Sequence, residues 1–259
     1  MDKLEKALLS KQIQLNNIEY VTTNGTIKKV FIDDNRYFFI YENNNVDYNE
    51  EVNLLVFYHG SRDIAMNCIL ESTSLIDTFG NDKKWIVVFG QCDGEIKNPY
   101  IHVGYGKVAY GEIYWGITGV QNMKCDIEYT RQLVEIMSAK YKINKKVIIG
   151  HSNGGVFSLL IPIYLPNLFD FVVSHQGGMG FDPLFGLDFE LVNVNDNKPK
   201  ILFYTGSMDM HKNVCQIAHN VFLAEKYDSE ITIIDGLDHN YKKECEPVIK
   251  SWLEKFKFT

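Results

Sequence analysis

The chain has 259 residues, 46% of them hydrophobic, and a formal net charge of −7. That length and apolar content suffice for one domain with a full core over residues 1–259, and the acidic balance sets aside a nucleic-acid surface. No apolar run reaches the ~18 residues of a membrane span and the N-terminus lacks a signal-type apolar stretch, so no membrane association and a cytoplasmic location are expected.

Residues 1–14 read as a short N-terminal helix or a loose arm. Residues 18–22, 27–32 and 37–41 read as early strands, expected antiparallel, and 43–51 as a polar, asparagine-rich connection. The apolar run 52–58 holds a central strand over 54–58 and ends in His59-Gly60-Ser61. A helix is expected over 65–79 and the next strand over 85–89. Residues 91–123 form a long segment rich in glycine and aromatics, Trp115 among them; a connection of that length in a compact domain is usually functional. Asp126 is expected to open a helix with Ile127, Thr130, Val134, Met137 and Tyr141 on one stripe. Later strands are expected over 169–174, 199–206 and 230–235, and a last helix over 242–256. Strands alternating with helices imply an α/β class: a mainly parallel central sheet with helices on both faces and antiparallel N-terminal strands.

The most informative stretch is Lys146 to Gly155, where an apolar, β-branched run stops at Gly150-His151-Ser152-Asn153-Gly154 and a helix-compatible segment follows. Strand, G-x-S-x-G turn, helix is the context of a nucleophile elbow. A Cβ at Gly150 or Gly154 would crowd the neighbouring strand and helix, so Ser152 Oγ is expected to stand above the sheet.

A serine hydroxyl is a weak nucleophile near neutral pH and needs a base within hydrogen-bond reach. The order to look for is serine, acid, histidine. Asp209 lies three residues past the glycine that ends strand 199–206, and His239 follows strand 230–235. All three side chains therefore lie just beyond carboxyl ends of strands, the edge where open α/β sheets bind ligands. Histidine titrates near the working pH, and a carboxylate fixes its tautomer and stabilises its protonated form. Asp238 is the rival acid, but it adjoins His239 and is expected to point elsewhere. The oxyanion donors are expected to be the backbone N–H groups of Asn153 and Ser61.

Of the other histidines, His59 is expected to brace the oxyanion loop and His151 to pack beside the sheet. His175, at the carboxyl end of strand 169–174, and Trp115 are the candidates for substrate contact, packing onto the sheet being the competing reading for any aromatic of that segment. His102, His211 and His219 carry no expected role. Neither H-E-x-x-H nor C-x-x-C occurs, so neither a metal nor a cofactor is expected, and the five scattered cysteines read as reduced, mostly packing residues.

Asp126 and its helix, Tyr141-Lys142-Ile143-Asn144, the strand and Gly150-His151-Ser152-Asn153-Gly154-Gly155 together resemble the α/β-hydrolase superfamily, and within it the polyhydroxybutyrate-depolymerase and feruloyl-esterase-like branch, over roughly residues 50–255. Members are often secreted and disulfide-bonded, and after His59-Gly60 this chain has Ser-Arg-Asp in place of a glycine-rich stretch. The resemblance implies a serine hydrolase that cleaves a carboxylic ester through an acyl-enzyme, with a small-molecule ester as its partner. A serine peptidase or amidase would use the same triad, and a silent hydrolase fold used for binding would lack one of its members. The candidate walls, 91–123 and 177–197, are too short for a lid domain and predict a fairly open cleft for short-chain or small aromatic acyl groups.

Overall fold

The computed structural model describes residues 14–16, 19–33, 36–92, 101–102, 106–107, 115, 120–179 and 198–256. β1 (Gln14–Asn16), β2 (Glu19–Val21), β3 (Gly25–Phe31) and β4 (Tyr37–Asn43) form an antiparallel succession. β5 (Glu51–Tyr58) follows. β6 (Trp85–Gly90) inserts between β4 and β5, antiparallel to the first and parallel to the second. β7 (Ile101–His102) and β8 (Gly106–Lys107) make a separate two-stranded ribbon. Then come α1 (Val120–Lys140), β9 (Lys142–His151), α2 (Asn153–Tyr164), β10 (Phe171–His175), β11 (Lys200–Gly206), α3 (Lys212–Ala224), β12 (Ser229–Ile234) and α4 (Cys245–Glu254).

The ten-stranded sheet has the order β1-β2-β3-β4-β6-β5-β9-β10-β11-β12, parallel from β6 to β12. From β5 the chain steps to β6 on one side and returns to β9 on the other. That reversal opens a crevice beyond the carboxyl ends of β5 and β9, where doubly wound sheets bind ligands. The residues that leave these two strands are His59-Gly60-Ser61 and Ser152.

Both faces of the sheet are covered, which is why its central strands are continuous apolar runs. Alternation then sorts their side chains. Leu54, Val56 and Tyr58 of β5 join Tyr129, Leu133, Phe157 and Phe222 in the core under α1, α2 and α3. Leu55 and Phe57 turn the other way, to Ile69, Phe79, Trp252 and Leu253 under residues 65–80 and α4. The stripe Ile127, Thr130, Val134 and Met137 of α1, continued by Tyr141 just past its end, is buried throughout. Its threonine hydroxyl is satisfied, because Thr130 Oγ1 bonds the Asp126 carbonyl at 3.0 Å and the Tyr58 hydroxyl at 2.6 Å.

Two local expectations fail. Residues 65–79 are not one helix: a short α-turn, Ala65–Asn67, passes into π-turns at Cys68–Ser72 and Ile76–Gly80, with Thr73 extended between them at φ −121°. The break is held by polar groups. Thr73 bonds back to the Cys68 carbonyl, while Glu246 of α4 takes the Ser74 amide at 2.8 Å and the Thr78 hydroxyl at 3.1 Å. Asp126 does not open α1, which begins at Val120. It lies inside the helix, buried and ion-paired with Arg36. The expected arm at 1–14 lies outside the described residues except for Gln14, as do 93–100 and most of the expected cleft walls. All five cysteines are free. Among the described residues no helix is long and apolar enough to cross a membrane, and no cluster of side chains could hold a metal ion.

Candidate active site

The turn from β9 into α2 is as tight as its glycines imply. A Cβ on Gly150 would stand 2.0 Å from the Gly154 carbonyl oxygen, and one on Gly154 would stand 2.3 Å from the Tyr58 carbonyl oxygen. Ser152 has φ 52° and ψ −116°, a backbone region that costs a non-glycine residue about 1–3 kcal/mol. Two bonds hold it there. Its N–H donates to the His175 carbonyl at 2.9 Å, and its carbonyl accepts from Val156 at 3.0 Å. The strain places the hydroxyl at the head of α2, beyond the sheet edge.

Ser152 Oγ lies 2.9 Å from His239 Nε2, and His239 Nδ1 lies 2.9 Å from Asp209 Oδ1. Asp209 is a carboxylate acceptor, so Nδ1 carries the imidazole proton and Nε2 faces the serine as acceptor. The Asp209 side chain is fully buried and His239 is 27% exposed. Oδ1 also accepts the His211 amide at 2.8 Å, and Oδ2 the Thr205 hydroxyl at 3.0 Å. Burial works to raise the Asp209 pKa, but the hydrogen bonds from His239, the His211 amide and Thr205 outweigh it and hold the carboxyl below its ordinary value. The rival, Asp238, points elsewhere: its exposed carboxylate bonds the amide and side chain of Asn240.

Gly60 packs against the elbow, since a Cβ there would lie 3.0 Å from His151 Nδ1 and 3.5 Å from Ser152 Cβ. That brings the start of the Ser61 loop beside Ser152. Among the described residues no backbone acceptor takes the amide of Ser61 or of Asn153. His59 is wholly buried, donates from Nδ1 to the Gly60 carbonyl at 2.8 Å, and is kept from charging chiefly by burial.

Trp115 and His175 are not cleft residues. Trp115 is fully buried, stacked on Phe157 at 5.1 Å, 4.3 Å from Tyr58 and 6.1 Å from Tyr129, with its indole N–H on the His59 carbonyl. A large ring with a satisfied N–H fills the core between β5, α1 and α2, so its apolar area serves folding. His175 ends β10 with its ring turned into the opposite face, 5.3 Å from Tyr204 and 4.7 Å from Tyr241, and it is wholly buried. What it offers the site is its carbonyl, on the Ser152 amide.

Other residues acquire roles that their sequence positions did not suggest. The Asn153 side chain accepts the Trp115 amide at 2.7 Å and donates to the Trp115 carbonyl at 3.4 Å, pinning one residue of the long aromatic segment to the elbow. His211, whose ring lies 4.5 Å from that of His239, supplies through its backbone amide the second donor to Asp209 Oδ1. Gln176, in a left-handed conformation at φ 57°, joins His151 to the loop that carries His239. The only sequence signal for Gln176 was its place just past a strand end.

The Esterase family model matches residues 116–182, which include the elbow. No curated protein sequence matches the chain. Among solved structures, an S-formylglutathione hydrolase from Agrobacterium tumefaciens is similar with a TM-score of 0.66 at 14% identity, over 94% of this chain and 98% of that one. A ferulic acid esterase from Anaeromyces mucronatus, solved with ferulic acid, gives 0.62 at 16% identity over 92% and 94%. A fluorophosphonate-binding serine hydrolase from Staphylococcus aureus gives 0.60 at 14% identity over 89% and 98%. At such identities the likeness speaks for the fold.

Proposed function

The chain has the α/β-hydrolase fold, and on that premise we propose that it is a serine hydrolase that cleaves carboxylic esters through an acyl-enzyme. The observation that carries this reading is the unbroken hydrogen-bonded line from Ser152 Oγ through His239 to Asp209, with the serine on a strained elbow. The Esterase match across the elbow and the esterases among the structural neighbours support it.

In this mechanism Ser152 Oγ attacks the ester carbonyl carbon while His239 Nε2 takes the hydroxyl proton. Asp209, buried and ionised, stabilises the imidazolium that forms. The carbonyl oxygen becomes an oxyanion, received by the N–H groups of Asn153 and Ser61; such donors are each worth roughly 3–4 kcal/mol of barrier. The imidazolium returns its proton to the departing alcohol, leaving Ser152 acylated. Water then attacks the acyl carbon with His239 as base, and His239 returns that proton to Ser152 Oγ as the acyl–Oγ bond breaks and the acid product leaves.

The substrate class proposed is small: short-chain or compact aromatic acyl esters. The ferulic acid bound in the Anaeromyces mucronatus neighbour is a compact aromatic acid, and this chain has the same fold. The test is a panel of p-nitrophenyl esters and peptide anilides, with Ser152→Ala as control. Acetyl and butyryl esters should be hydrolysed with higher kcat/KM than lauroyl or palmitoyl esters, anilides should be poor substrates, and Ser152→Ala should abolish turnover. A fluorophosphonate should label the wild type at Ser152. Labelling at Ser61 or Ser207, or faster cleavage of anilides, would overturn the reading.

A further inference from the structure

Gln176 is 1% exposed and immediately follows β10. Its backbone is anchored, with its N–H on the Tyr204 carbonyl at 2.7 Å. Its side chain reaches both ways. Oε1 lies 3.0 Å from His151 Nε2, and Nε2 donates to the Asp238 carbonyl. A carbonyl can only accept, so the amide NH2 must face Asp238 and its oxygen must face His151. This fixes His151 as the tautomer protonated at Nε2. Burial, and after it the nearby His239, pushes the His151 pKa down to about 4, so it serves as a neutral donor.

The line His151, Gln176, Asp238 thus joins the residue before the nucleophile to the residue before the base. Strands β9 and β12, which bear those two groups, are separated in the sheet by β10 and β11. The loop after β12 turns at Gly236, φ +71°, and is bonded through Leu237 to the acid loop at Met208. Beyond Leu237, the Gln176 amide ties this loop toward the elbow, beside the interaction of the His151 ring with the His239 backbone.

We propose that Gln176 is a positioning residue for His239: by holding the Asp238 carbonyl against the elbow, its side-chain amide sets the reach of the imidazole to Ser152 Oγ. The inference rests on the hydrolase reading above. Misplacement of a catalytic group by ~1 Å can cost about 100-fold in rate.

Two variants test it. Gln176→Glu keeps an acceptor for His151 but sets an acceptor against the Asp238 carbonyl. Gln176→Met keeps the length of the side chain and loses both bonds. Wild-type turnover of p-nitrophenyl acetate and Ser152 labelling are measured first; their absence would defeat the hydrolase reading itself. With the wild type active, each variant should lose about 10- to 100-fold in kcat while KM stays within about threefold. In a His239→Ala background, where no imidazole remains to be placed, Gln176→Met should leave the residual rate unchanged within about twofold. Wild-type kcat in either folded variant, an equal loss in the His239→Ala background, or collapse of cooperative melting in both variants would overturn the proposal, the last by making Gln176 a core residue only.

Discussion

Replacing Asp209 with asparagine removes a charge and no heavy atom. In a serine triad the amide commonly turns its NH2 toward the imidazole and forces the wrong tautomer, at a cost of about 10⁴ in kcat. The bonding around Asp209 argues against that outcome here. Oδ1 receives both the His239 Nδ1 proton and the His211 backbone N–H, at 2.9 and 2.8 Å. A fixed amide donor demands an acceptor at that position, and turning an NH2 toward it would leave buried donors unpaired at about 1–3 kcal/mol. The NH2 should instead take the Oδ2 position, where the Thr205 hydroxyl can rotate from donor to acceptor. The tautomer survives and only the charge opposite the imidazolium is lost. Two unit charges about 4 Å apart at an effective dielectric of about 20 attract by about 4 kcal/mol. That corresponds to a loss of about 10³ in kcat/KM on p-nitrophenyl butyrate. Adding Thr205→Val removes the needed acceptor, so the double variant should lose roughly a further tenfold and approach the flipped-tautomer value of about 10⁴. A single variant already down by about 10⁴, with no further loss in the double, would refute the bonding argument. A loss below about tenfold would remove Asp209 from the machinery.

Trp115→Ala should empty a core site and cost about 3–5 kcal/mol in denaturant unfolding, with KM nearly unchanged in the folded fraction; a raised KM with wild-type stability would return Trp115 to the cleft. Gly154→Ala should abolish folded expression, because the new methyl would meet backbone at Tyr58 that cannot yield; a wild-type melting temperature would contradict the close approach. The depressed pKa of His151 makes stability depend on pH. The unfolded chain takes up that proton first, so the contribution is full above about pH 6.5 and lost as pH falls toward about 4, amounting to about 3 kcal/mol. Urea unfolding followed from pH 7 to pH 4 should therefore decline less steeply in His151→Gln than in the wild type, and equal slopes would reject this source. Burial works against the charge on Glu42, but hydrogen bonds from Tyr141, Lys140 and Tyr48 outweigh it and hold its pKa at about 2, so its loss falls in a lower window, from about 4.5 down to about 2.

The parallel half of the sheet was legible in the sequence because each strand buried on both faces is a short apolar run stopped by a glycine or a polar turn. Val147 to Ile149 and Ile201 to Tyr204 carry that signal without help from elsewhere in the chain. The elbow was legible for a related reason: close backbone approach at Gly150 and Gly154 can be met only by glycine. Residues 65–80 were not, because their pattern suits a helix and the group that breaks it, Glu246, arrives from 172 positions downstream. Asp126 misled in a similar way: an aspartate reads as a helix start until a distant Arg36 proves to neutralise it. Trp115 and His175 showed the limit of reading residue type at a strand end or in a long connection. Their chemistry suits a cleft, but which way a ring turns is decided by the cavity it fills, and both rings turned inward. Gln176 left no mark beyond its place after a strand end, since a bridging amide is recognisable only once both of its partners are in place.

The strand order gives the reactive groups unequal footing. Ser152 is carried by β9, which is paired on both sides and lies deep in the sheet. His239 is carried by β12, the terminal strand, which is paired only with β11 among the described residues. Opening free energies fall toward exposed edges, so β12 and its loop should part from the sheet before β9 does. Such a partial opening withdraws the base and leaves the serine in place. On the proposed hydrolase reading, warming would therefore silence hydrolysis while most of the sheet is still intact.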